Sequence, residues 1–236
     1  MSLDLTGLIE FPRPDAPVSV RSWFLDVAEA ARMTLKPPPY PQGAAHGAGQ
    51  TVMVLPGFGA PDATTTRLRG FLAAQGFRPL PWGLGLNLGP VPTLLDRLET
   101  RIRDEACGGP IALVGVSMGG CFAREMARRV PDRISRVVTL GTPVRLPVVS
   151  ALAPAARAAA LLWDADAAPV LRDIAAPVPV PLTAIVSRDD GVIDWRGSIP
   201  DDPLSEVVEI TGAHSAMGSN PQAQRAVAQA LARTAG

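Results

Sequence analysis

The run IALVGVSMGG carries Gly115, Ser117 and Gly119 where an aliphatic, β-branched stretch gives way to a helical pattern. At such a junction a serine sits on a sharp, strained turn with its hydroxyl raised above the strand ends, and flanking glycines keep neighbouring backbone from colliding with it. That placement suits a nucleophile. A Gly-rich turn could instead serve packing, or hold an anion at a helix N-terminus. The run has neither the lysine of a phosphate loop nor the GxGxxG of a dinucleotide site, which favours the nucleophile.

A serine hydroxyl attacks a carbonyl only if a base takes its proton, and the base needs a partner that fixes its tautomer and stabilises its cation. The chain has two histidines. His46 lies in a Pro/Gly-rich connector, KPPPYPQGAAHGAGQ, and reads as a solvated loop residue; His214 sits in ITGAHS, directly after the run EVVEI. Its place after Ser117 and after the acidic residues fits the order serine, acid, histidine. Three carboxylates crowd the end of the run LTAIVS: Asp189, Asp190 and Asp194. Alternate residues of an extended strand face opposite sides, so Asp189 and Asp190 differ in direction, while Asp194 lies further into the loop. Cys121 follows Ser117 closely but has no base beside it in sequence, and with Cys107 it reads as a packing residue. No Cys/His/Asp cluster has metal-ligand spacing, so neither metal nor cofactor is expected.

The elements that must position these groups are legible as alternating periods. TVMVL, a helix through Thr66 to Ala74, FRPLPW, a helix through Thr93 to Ala106, IALVGV, a helix from Met118 to Arg129, RVVTLG, LTAIVS, EVVEI and a helix after Pro221 follow one another. Such alternation predicts strand-helix-strand crossovers and a mainly parallel, doubly wound sheet, the α/β class. Ahead of it, Val20, Trp23, Phe24, Val27, Ala28 and Ala31 fall at helical spacing and predict a helix packing that face on the main domain. One domain spanning 1–236 is expected, with an N-terminal helix and connector over 1–50. An Ala- and Pro-rich interruption over 143–180 falls between two sheet strands, so it must project from the sheet as a short helical cap insertion. The loop PWGLGLNLGP follows a strand at the sheet edge, where Trp82 and Asn87 are expected to line a substrate cleft; a turn that merely positions the next helix is the plainer reading.

LPGFGA, GVSMGG, SRDDGVIDW and ITGAHS, in that order, resemble the α/β-hydrolase superfamily, especially its bacterial lipase and esterase-like members, from about Thr51 to the C-terminus. The resemblance implies the α/β-hydrolase fold and a Ser117, Asp190, His214 triad. Asp190 is chosen because the family's acid is usually followed by two residues and then an aliphatic one, as in Asp190-Gly191-Val192-Ile193; Asp194 is the reserve. It also implies an oxyanion hole formed by the backbone N–H groups of Phe58 and Met118. Pro56 and Val116 stand where many members carry histidine, but neither position carries the proton transfer.

With 22 basic and 22 acidic residues the chain has no charge excess to draw it to nucleic acid or an acidic membrane surface. No apolar run is long enough to span a membrane, the start does not read as a secretory signal, and a cytoplasmic setting is the expectation. The expected partner is a small-molecule ester; nothing in the sequence bears on oligomeric state. Leu161, Leu162 and Trp163 in the cap suggest an aliphatic or aromatic acyl part, although the same residues could simply pack the cap down. The expected activity is carboxylic ester hydrolysis through an acyl-enzyme. Thioester hydrolysis or acyl transfer would use the same residues, and a non-catalytic binding protein could keep the fold.

Overall fold

The computed structural model describes residues 8–12, 18–91, 93–163, 170 and 173–233. In chain order the elements are β1 (Ile9–Glu10), α1 (Val20–Leu35), β2 (Thr51–Leu55), α2 (Thr66–Ala74), β3 (Arg78–Pro81), α3 (Leu94–Glu105), β4 (Ile111–Val116), α4 (Met118–Arg129), β5 (Ile134–Leu140), β6 (Val148–Val149), α5 (Ala153–Ala159), β7 (Leu182–Ser187), β8 (Ser205–Ile210) and α6 (Pro221–Ala232). Six strands form one parallel sheet in the order β3-β2-β4-β5-β7-β8.

The period of two along each strand divides the core between the two faces. On β2, Met53 and Leu55 join a layer with Leu98 and Ile102 of α3 and Phe122 and Met126 of α4. Val52 and Val54 turn the other way, toward Leu68, Phe71 and Leu72 of α2 and Val227 and Leu231 of α6. A strand buried on both faces must be apolar throughout, which is why these strands read as unbroken aliphatic runs. The edge strand β3 tolerates Pro79 and Pro81, because only one of its sides must supply donors: Arg78 N donates to Gln50 O, so the alternate residues face outward. Asn220 caps α6 by accepting from Gln222 N and Ala223 N, with Pro221 at the first helical position.

Two departures from the sequence reading concern the chain outside the sheet. The expected apolar face of α1 packs only in part: Trp23 is half-buried, but Phe24 is 62% exposed and Val20 and Val27 are also exposed, whereas Asp26 and Met33 are buried. Apolar periodicity had stood in for burial, whereas docking onto loops selects other residues. Between β5 and β7 the chain is not only helical, since β6 pairs in parallel with β1. Within that stretch Leu162 is exposed, and Trp163 is buried with Nε1 donating to Leu88 O. The Leu161 side chain and residues 164–169 and 171–172 of the expected cap lie outside the described residues.

Candidate active site

The residues that could do chemistry gather over the carboxyl ends of β2, β4, β5, β7 and β8. Ser117 joins β4 to α4 with φ 50° and ψ −124°, in the left-handed half of the map that a side chain seldom occupies. The turn is held by Ser117 N donating to Leu140 O at 2.8 Å and Thr142 Oγ1 donating to Ser117 O at 2.9 Å. Gly119 permits it, since a Cβ there would meet Leu55 O at 2.5 Å.

Beyond β7, Asp190 folds back on its own loop, and its Oδ1 accepts from Val192 N at 2.9 Å and Ile193 N at 2.7 Å. These bonds fix the carboxylate and leave Oδ2 facing His214 Nδ1 at 2.6 Å. Both residues are buried. Burial alone would lower the imidazole pKa, but the charge and hydrogen bond of Asp190, together with the charge of Asp26, outweigh it and hold the value above the ordinary histidine range. Asp189 faces the other way and accepts from Gly212 N, tying the two loops together. Asp194 is turned off the site, where it caps Arg196 N. His46 is exposed in the connector.

Ser117 and His214 line one cleft with two lobes. Ile9, Met118, Cys121, Val148, Ala156 and Ile174 wall an apolar lobe beside Ser117. Gly57, Thr64, Thr65, Ser215 and Ser219 wall a more polar lobe that His214 enters. Phe58 lines both. Its loop presses on the nucleophile, for a Cβ on Gly57 would stand 3.3 Å from Ser117 Cβ. Cys121 is no rival nucleophile: burial pushes its thiol up to about 12.

Trp82 and Asn87 do not line the cleft as the sequence led one to expect. Both have no exposed surface and cannot reach a substrate. Trp82 packs in the core with Nε1 donating to Gly85 O. Asn87 Nδ2 donates to Pro56 O at 2.8 Å, and Asn87 O accepts from Gly59 N, so this residue braces the Gly57-Phe58 loop from behind. Sequence reasoning missed two residues at the site. Gly141, at the end of β5, lies against the His214–Asp190 pair. Asp26 of α1 accepts from the backbone N–H groups of Gly191, His214 and Ser215. Its sequence signal was faint: a lone carboxylate on the same helical face as Trp23 and Met33.

A family model described as alpha/beta hydrolase fold matches residues 55–183. No curated protein matches the chain. Among solved structures, a monoacylglycerol lipase of Paleococcus ferrophilus is 16% identical with TM-score 0.57, the match covering 79% of this chain and 96% of that one. An enol-lactonase from Burkholderia xenovorans LB400 is 17% identical with TM-score 0.57, covering 82% and 95%. A thioesterase domain from the curacin biosynthetic pathway is 16% identical with TM-score 0.52, covering 80% and 92%. At these identities the likeness is one of fold.

Proposed function

The chain belongs to the alpha/beta hydrolase fold family, and from that premise we propose that it is a serine hydrolase that cleaves carboxylic esters through an acyl-enzyme. One observation carries the reading: His214, buried and paired with Asp190 at 2.6 Å, lines the cleft that also holds Ser117 on its strained turn.

In the proposed reaction, neutral His214 takes the proton from Ser117 Oγ through Nε2 as Oγ attacks the ester carbonyl carbon. Asp190 accepts the Nδ1–H, fixes the tautomer and stabilises the imidazolium. Negative charge that develops on the carbonyl oxygen is met by the N–H groups of Phe58 and Met118, each worth about 3 kcal/mol of transition-state stabilisation. Collapse breaks the bond to the alcohol oxygen, which leaves with the proton from His214. Water, deprotonated by the same imidazole, then attacks the acyl–Ser117 carbonyl, and Oγ recovers the proton as the carboxylic acid departs.

The apolar lobe fits an aliphatic acyl chain, and the more polar lobe fits the departing alcohol. Hydrolysis of p-nitrophenyl esters from acetate to palmitate by the wild type and by Ser117→Ala tests this. Turnover that disappears in the variant is expected; equal rates in both proteins would overturn Ser117 as nucleophile.

A further inference from the structure

Helix α1 lies outside the stretch matched by the family model, and it touches the site through the side chain of Asp26. Val20, Phe24, Leu25 and Val27 remain exposed, while Trp23 and Met33 pack toward the domain. Asp26, only 2% exposed, points inward on the same side. Its Oδ2 accepts from His214 N at 2.6 Å and Gly191 N at 3.2 Å, and its Oδ1 accepts from Ser215 N at 2.9 Å. Among the described residues no lysine or arginine is paired with it. A carboxylate so buried is held by the charge-assisted bonds from those three amides.

The three donors belong to the two loops that carry Asp190 and His214. Gly191 follows the acid directly, and a Cβ there would collide with Ser22 O and stand 2.8 Å from Asp26 Cβ; its hydrogen atom lets the helix come this close. Ser22 Oγ adds a long bond to Gly191 O at 3.4 Å.

The geometry points to Asp26 as a positioning residue, whose carboxylate clasps the acid loop and the histidine loop and thereby holds the His214 imidazole in its working orientation. The clasp rests on the hydrolase reading only for the reaction that the imidazole serves. The charged groups facing that imidazole are Asp190, from the loop after β7, and Asp26, from α1; Asp189 is engaged by Gly212 N. An asparagine in place of Asp26 would remove the charge and turn an N–H toward a backbone N–H.

The test uses Asp26→Asn in the full chain, with ¹⁵N-labelled histidine, in wild type and variant both carrying His46→Gln so that only His214 reports. The expected result has three parts: the imidazole titrates at lower pH than in the parent protein, kcat for p-nitrophenyl butyrate falls at least about tenfold, and KM changes little. Met33→Ala, which trims another contact of α1 with the loop of Ala213 and Ala216 but leaves the carboxylate, should lower Tm without moving the titration. An Asp26→Asn protein that keeps the wild-type circular dichroism, titration and kcat would overturn the clasp. If that variant does not fold, Asp26→Ser carries the same expectation. If wild-type Ser117 neither turns over esters nor reacts with a serine-directed phosphonate, the hydrolase reading falls, and the His214 titration by itself decides for or against Asp26.

Discussion

Gly141 and His214 are packed so closely that a Cβ on Gly141 would lie 2.8 Å from Nδ1 and 3.1 Å from Asp190 Oδ2. Gly141 also has φ +55°, a conformation that disfavours any side chain. Gly141→Ala should therefore wedge the acid–imidazole pair apart and lower kcat by about a hundredfold or more. Steady-state kinetics, with Tm to report folding, checks it.

Asp190→Asn keeps an oxygen for Val192 N and Ile193 N, so the loop retains its shape. The other atom of the amide then donates toward Nδ1 and favours the wrong tautomer. The expected loss in kcat is about 10⁴-fold, with little change in the far-ultraviolet circular dichroism.

Because the pair and Asp26 raise the His214 pKa, the acid limb of the kcat/KM profile should fall above pH 6.5, the ordinary value. The linked effect on stability has the opposite sense to that of a paired carboxylate. A raised folded pKa means that proton binding favours the fold, fully so below the unfolded value and progressively less as pH rises through the folded one. Tm of the wild type against His214→Gln, measured across that window, checks it.

Ala156 lines the apolar lobe. Ala156→Trp should fill the lobe and reduce kcat/KM for hexanoate by at least about tenfold relative to acetate. A chain-length profile that keeps its wild-type shape would place the acyl chain elsewhere.

Trp82→Ala should cost about 3–5 kcal/mol of stability through the cavity it leaves, with kcat/KM retained at a temperature where the variant is folded. Urea unfolding and ester kinetics separate this from a substrate contact, for which the loss would appear in KM.

Much of the fold was legible because strands buried on both faces and amphipathic helices each impose a period, and β2, β4, β7, α2 and α4 have the bounds their patterns predict. Ser117 and His214 were legible as candidates from their places after β4 and β8, and Asp190 was singled out from its neighbouring carboxylates by the family resemblance. What the sequence hid were contacts with no side-chain signature at one end. Asp26 bonds to backbone amides more than 160 residues away, and no local pattern encodes a partner that is main chain. Trp82 and Asn87 misled because an aromatic ring and an amide in a Gly-rich loop serve a core as readily as a ligand. The two-residue strands β1 and β6 are too short to carry any period.

The prolines of β3 have a consequence for how these molecules meet one another. With Arg78 N committed inward to Gln50 O, the outward nitrogens of the strand are those of Pro79 and Pro81, and neither carries a hydrogen. A strand from a second copy approaching that edge would find carbonyls but no donors, so this rim of the sheet is chemically closed to aggregation by strand addition.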